Sequence, residues 1–271
     1  MSCPNWFVSF LKHLFPQRYF YAKLTRLPLV GKLVDFFLFR GDQIVYLPQD
    51  HLVPVNVDLE MPAEVVLPSR IVDHFIEQAH YHWIMDACIC REGDDCQDYP
   101  HNLGCIFLGE AVLKINPALG RLVSKEEALD HARRCREAGL IHMIGRNRLD
   151  SVWLGVNPSE KLMTICNCCP CCCLWKMVPD LNPSIGGKIA RMPGVTLRVT
   201  ERCIGCGACA EEICFMSAIS MNGRYAKISD ACRGCGRCVE ICPHGAIELT
   251  IKGDQFMRQT IDSLSKLVNL S

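Results

Sequence analysis

Cys203-Ile-Gly-Cys206-Gly-Ala-Cys209 and Cys232-Arg-Gly-Cys235-Gly-Arg-Cys238 are one pattern written twice, about 29 residues apart. Each copy is followed by one more cysteine, Cys214 or Cys242, and then by an Ala-Ile pair, Ala218-Ile219 or Ala246-Ile247. A self-similar unit of this length is the mark of a duplicated half-domain. The repeat occupies residues 196–251 and sets the fold of the C-terminal part of the chain.

Three cysteines spaced by two residues wrap a loop around one corner of an iron-sulfur cube, and the fourth thiolate then comes from the other half of the repeat. The expected sets are Cys203, Cys206, Cys209 and Cys242 for one cluster, and Cys232, Cys235, Cys238 and Cys214 for the other. Gly205, Gly207, Gly234 and Gly236 suit loops pressed against a cluster, where a side chain would be penalised, although ordinary turns also use glycine. A zinc ribbon also pairs C-x2-C units, but eight cysteines in this order exceed what its tetrahedral sites require.

This segment resembles the bacterial dicluster ferredoxins. The resemblance implies a pseudo-twofold fold of two hairpin strands and two short helices, two [4Fe-4S] clusters, and low-potential one-electron transfer. The second half keeps the family's C-x2-C-x2-C-x3-C-P, ending at Cys242-Pro243. The first half departs from it: four residues separate Cys209 from Cys214, and Phe215 stands where the proline would be.

Eight cysteines out of 20 are thereby used. Ten more form two upstream groups, Cys88, Cys90, Cys96 and Cys105, and Cys166, Cys168, Cys169, Cys171, Cys172 and Cys173; Cys3 and Cys135 stand apart. A secreted disulfide scaffold would be short and follow a signal peptide, whereas a reduced cytoplasmic chain bunches cysteines for metal. If the two groups meet, they are expected to hold one or two further iron-sulfur clusters, with Pro170 fanning the thiolates apart. Structural zinc is one alternative. A dithiol redox centre, activated by Arg91, Lys176 or a helix N-terminus, is another. This region is also loosely similar to uncharacterised ferredoxin-associated iron-sulfur proteins of anaerobes, a likeness that names no reaction. His80, His82 and His101 flank the first group as ligands, proton donors or packing residues. Asp86, Glu92, Asp94 and Asp95 read as solvated loop charges, and Tyr81, Trp83 and Trp153 as core.

Upstream again, ten of the 21 aromatic residues fall in residues 1–40, where Lys12, Arg18, Lys23, Arg26, Lys32 and Arg40 face the single acid Asp35. Trp6, Phe7, Phe10, Leu11, Leu14 and Phe15 recur at helical spacing, Pro16 ends the pattern, and Leu29, Val30, Leu33, Val34, Phe37 and Leu38 restart it. Two basic amphipathic helices are expected. They suit the inner face of a membrane carrying anionic head groups; the alternative is an arm packed on the rest of the protein or on a subunit. No uncharged apolar run reaches a spanning length, and no cleavable signal is apparent.

The expected architecture is α+β. The amphipathic segment (1–40) precedes a cysteine-rich α+β metal-binding domain (41–177), a turn-rich linker (178–194), the dicluster ferredoxin-like domain (195–252) and a C-terminal helix (253–271). Within 41–68, prolines and alternating Leu52, Val53, Val55, Val57 and Leu59 suggest a connector with edge strands. Ser69 is expected to cap a helix carrying Ile71, Val72, Phe75, Ile76, Ala79 and Trp83, and Ser124 with Glu127 to form a capping box for a helix closed by Gly139. Residues 140–144, 151–156 and 161–165 read as a small sheet leading into Cys166.

Lysine plus arginine balances aspartate plus glutamate at 29 each, which leaves no footprint for nucleic acid. No flavin, nicotinamide or phosphate-loop fingerprint is present, since Gly186-Gly187 lacks the strand-to-helix context. The sequence therefore points to an iron-sulfur electron-transfer protein that exchanges electrons with a redox protein partner and, through the second cysteine system, with a partner at the membrane. The alternatives are a reductase acting at that second site on a lipid-phase or sulfur substrate, and a zinc-stabilised docking module.

Overall fold

The computed structural model describes residues 3–52, 67–211, 213–252 and 255–270. The alternation expected at Val53, Val55, Val57 and Leu59 lies outside them.

The N-terminal segment forms α1 (Asn5–Leu14), α2 (Arg18–Leu24) and α3 (Pro28–Val34), with a single π turn over Asp35–Phe39. Pro16 breaks α1 from α2 as its missing N–H requires. Strand β1 (Gln43–Tyr46) follows, and beyond it α4 (Ser69–Gln78), β2 (His82–Met85), α5 (Ile89–Gly93), β3 (Ile106–Leu108) and β4 (Gly120–Val123). Next come α6 (Lys125–Glu137), β5 (Ile141–Arg146), α7 (Arg148–Leu154), β6 (Met163–Cys168), α8 (Pro183–Gly186) and β7 (Ile189–Arg191).

These strands make one seven-stranded sheet in the order β4-β2-β3-β6-β5-β1-β7, antiparallel except for the parallel β1–β7 pair. The pleat sorts its side chains by twos. Val45, Ile84, Ile106, Leu108, Ile144, Met163 and Ile165 face one way and form a core with α4, α6 and the C-terminal helix. Tyr46, Met143 and Cys168 are packed on the opposite side, as are Trp83, Met85 and Phe107, beneath the N-terminal helices and α7.

The remaining elements are β8 (Val195–Val199), β9 (Ile219–Asn222), β10 (Tyr225–Ile228), α9 (Arg237–Ile241), β11 (Ile247–Ile251) and α10 (Phe256–Ser265). Strands β8 and β11 pair antiparallel, as do β9 and β10. Val195 and Leu249 join the apolar core of the large sheet, and Phe256 and Leu264 bind α10 to the same core.

Several expectations change. β1 is an interior strand rather than an edge, because Ile44, Val45 and Tyr46 are all buried and both neighbours pair with it. The helix from Ser69 ends at Gln78, where Ala79 turns extended, so Trp83 belongs to β2. Its first N–H, on Ser69, is satisfied by the Asp50 carboxylate at 2.9 Å rather than by a serine cap. Residues 151–156 are mostly helical: Asp150 accepts from Asn147 Nδ2 and Trp153 Nε1, three residues to either side, and Gly155 at φ 69° closes the turn. The turn-rich stretch 178–194 contains a strand, β7, because Ile185 and Ile189 are buried beside β1. The Ser124 cap on Glu127 N–H forms at 3.2 Å, and Gly139 closes α6 at φ 72°.

Candidate metal centres

In the C-terminal lobe the duplication is visible atom by atom. Ala218 N–H donates to Cys214 Sγ and Ala246 N–H to Cys242 Sγ, both at 3.3 Å and both four residues after the cysteine. Gly205, Gly207, Gly234 and Gly236 all have φ between 75° and 85°. A Cβ on Gly205 would stand 2.3 Å from the Arg224 carbonyl, so this loop needs glycine for both its torsion and its space. Cys203, Cys206, Cys209 and Cys242 line one hollow, and Cys214, Cys232, Cys235 and Cys238 line the other. Cys214 joins the second hollow despite the longer spacing before it. Burial pushes the Cys235 thiol up to about 12 and raises Cys209, Cys232 and Cys238 as well. A metal bound there must displace those protons, and the sulfur donors then suit iron.

The middle region builds its site from sheet parity. Cys166 and Cys168 stand two apart on β6, opposite in direction to Met163 and Ile165, and Cys105 precedes β3 beside them. Cys88 and Cys90 come from the start of α5, and Cys173 from the turn after β6. These six thiols line a cavity of about 300 Å³, walled on its far side by Leu11, Leu14, Phe15 and Tyr21 of the N-terminal segment. Cys173 donates to Cys168 Sγ at 3.1 Å. A hydrogen bond from Cys90 holds Cys88 down to about 6, while Cys105 and then Cys168 hold Cys166 well below the thiol range. The partners Cys90, Cys105 and Cys168 are raised in exchange.

Arg91 tests what such a site fits. Its side chain is wholly buried and donates to the carbonyls of Asn167, at 2.9 Å, and Leu103. Its Nε has no partner, and among the described residues no carboxylate pairs with it. Burial opposes its charge; Cys88, Cys169, Cys105 and Cys168 favour it more strongly. A buried cation without an acid is tolerable only beside negative charge of another kind. Thiolates, bare or on a metal, supply it here.

The remaining four cysteines of this region, Cys96, Cys169, Cys171 and Cys172, gather separately, with their Sγ atoms within 4.8 Å of one another. The ten therefore divide into six and four, and Cys169 also reaches the six-thiol cavity. Cys135 is fully buried beside the four, and Cys3 lies under α7, each as a packing residue.

Between the lobe and the middle site stands Tyr46. It is fully buried, lines the hollow of Cys214, Cys232, Cys235 and Cys238, and stacks obliquely on Phe215 with ring centroids 5.5 Å apart. Its hydroxyl has no hydrogen-bond partner among the described residues. Burial raises its pKa well above the usual range, and Cys173, Cys168, Cys235 and Cys166 add to the rise, so both thiol groups act on one phenol. One apolar core runs without interruption from Cys168 and Cys173 through Trp175, Tyr46 and Phe215 to Cys232.

Other residues sit differently from their sequence reading. His82 bonds the Ile76 carbonyl at 2.6 Å and His101 the Cys96 carbonyl at 2.8 Å; neither these nor His80 line the cavities described here. Glu92 and Asp94 are not simply solvated: Lys12 meets Glu92 at 2.7 Å, and the buried Arg18 grips Asp94 with two nitrogens. Those pairs fasten α1 and α2 onto α5, and a Cβ on Gly93 would strike Phe15 at 2.8 Å. Tyr81 is exposed, whereas Trp83 and Trp153 are core. Tyr46, Arg18 and Asp150 carry no motif that would single them out in the sequence. Asp150 lines the large cavity and accepts from Asn147, Trp153 and Thr164, while burial lifts it to about 7.

The family model for the 4Fe-4S binding domain matches residues 225–248, the second half of the repeat. No curated protein and no solved structure matches the chain. The chain therefore has an α+β architecture with a ferredoxin-like iron-sulfur domain near its C-terminus, which supports at least one [4Fe-4S] cluster and an electron-transfer role. Cysteine groups elsewhere provide for further metal.

Proposed function

We propose that the chain relays low-potential electrons between a dicluster lobe and a second iron-sulfur site held by Cys88, Cys90, Cys105, Cys166, Cys168 and Cys173. In the lobe, Cys203, Cys206, Cys209 and Cys242 would hold one [4Fe-4S] cluster, and Cys214, Cys232, Cys235 and Cys238 the other. Bound clusters supply reversible one-electron chemistry. The chain's own part is to hold thiolates, exclude water and keep the sites close. The observation that carries this reading is the single buried core that holds Tyr46 and Phe215 together with Cys168 and Cys173 of the middle cavity and Cys232 of the lobe.

Rapid-freeze EPR of the full chain after mixing with a one-electron donor protein tests the order. Signals of the lobe should appear first and then decline as a distinct middle-site signal grows. A middle-site signal that rises first would reverse the direction, and ferredoxin-type signals alone would defeat the relay.

The N-terminal helices fit a second part of this proposal, a membrane-surface partner. Their inner face walls the cavity, while Trp6, Phe20, Leu29, Leu33 and Phe36 are exposed beside the exposed Lys23, Arg26, Lys32 and Arg40. Such a face lies well in an anionic interface. No helix among the described residues is long and apolar enough to cross a membrane. The intact chain should float with anionic liposomes, and a Trp6→Ser/Leu29→Ser/Leu33→Ser chain should stay behind; equal flotation would remove the membrane from the account.

A reductase at the same cavity is the second reading. It is favoured by the volume behind α1 and by Asp150 in its wall, and it requires a small molecule that perturbs the middle-site signal.

A further inference from the structure

Four thiolates around a single ion at about 2.3 Å stand about 3.8 Å from one another. A cubane carries each thiolate on a different iron and on the outside of the cube, so its ligands spread wider. Cys96, Cys169, Cys171 and Cys172 have all their Sγ atoms within 4.8 Å, and Cys96 and Cys171 approach to 3.4 Å. We propose that these four cysteines hold one tetrahedrally coordinated metal ion, zinc or iron, distinct from every iron-sulfur cluster of the chain.

The surroundings agree with a closed structural site. Cys96 lies in the irregular segment between α5 and β3, and the other three lie in the turn after β6. Around them the buried apolar partners are few, chiefly Leu103, Cys135 and Leu140. An ion here would add a direct link between the two loops, beside the bonds that Arg91 and Asn167 already make to Leu103 and Gly104. The ligand backbone is already braced: Cys96 N–H donates to the Arg91 carbonyl at 2.8 Å, His101 Nε2 bonds the Cys96 carbonyl, and Cys172 N–H donates to Cys169 Sγ at 3.4 Å. Such outer bonds orient metal ligands. Four protein sulfurs leave no open coordination position, which separates this site from a catalytic one.

The pinned loop also receives the C-terminal lobe. Arg237, next to the lobe cysteines, donates to Tyr99 Oη at 3.4 Å and to the Gly139 carbonyl. The ion would thus fix the surface on which the lobe is seated. This inference does not depend on the electron-relay reading.

Metal and acid-labile sulfide analysis of the anaerobically purified full chain tests it, beside Cys96→Ser and Cys171→Ser, which change thiols that do not line the large cavity. The expected result is loss of one zinc, or of one iron, per chain with sulfide unchanged; the metal assay itself says which. Iron and sulfide lost together would assign these thiols to a cluster, and no loss at all would leave them metal-free; either overturns the proposal. Should the variants fail to fold, the wild-type chain grown with cobalt provides the second measurement. Intense visible bands of tetrahedral thiolate cobalt are expected, and their absence overturns the proposal.

Discussion

Replacing Arg91 by leucine should strip the middle site of its iron while leaving the C-terminal lobe loaded. The guanidinium is a buried cation beside Cys88, Cys105, Cys168 and Cys169 with no acid paired to it among the described residues, unlike Arg18, which is held by Asp94. It also ties Leu103 to Asn167 across the cavity wall. Removing one partner of a buried charge group costs about 3–5 kcal/mol, because the opposite charge is left uncompensated. Arg91→Lys should not restore binding, since an ammonium cannot reproduce the fork that reaches both carbonyls. Iron per chain and the guanidinium chloride midpoint read the effect. Full iron content in Arg91→Leu would mean that the thiols need no counter-charge.

Tyr46 should separate packing from electronics. Tyr46→Ala empties a fully buried aromatic site and is expected to destabilise the chain by about 3–5 kcal/mol. Tyr46→Phe keeps the ring against Phe215 and removes only a hydroxyl that has no hydrogen-bond partner among the described residues. Its stability should stay within about 1 kcal/mol of the parent, because no hydrogen bond to another described residue is lost. A hydroxyl that donates to sulfur of a bound cluster would favour the reduced state. Tyr46→Phe should then lower one midpoint potential in an EPR-monitored titration. Unchanged potentials would reduce Tyr46 to a packing residue.

What could be read from the sequence follows from how local each determinant is. The repeat was legible because its cysteines, its four positive-φ glycines and its Ala218 and Ala246 donors all sit within a few residues of one another. The 4–6 division of the other ten cysteines was not. Adjacent Cys168 and Cys169 join different thiol groups where β6 ends, although both reach the large cavity, and nothing in the spacing marks where that strand stops. β1 fell within what read as a connector because its second partner, β7, comes from a glycine- and proline-rich stretch more than a hundred residues later. The acids Glu92 and Asp94 looked solvated because Lys12 and Arg18 lie in another segment. The N-terminal helices were expected either to meet a membrane or to pack on the protein. Their inner face does the second, as the wall of the cavity, and their outer face remains exposed.

The account stands on a second iron-sulfur site beyond the lobe, and iron with acid-labile sulfide in the full chain measures it most directly. The two lobe clusters bring about eight irons and as many sulfides. The full chain should hold distinctly more of both, and Cys168→Ala/Cys173→Ala should return sulfide to about eight, the content of two cubanes. A full chain that carries no more sulfide than the two lobe clusters, with the double variant unchanged, would contradict it.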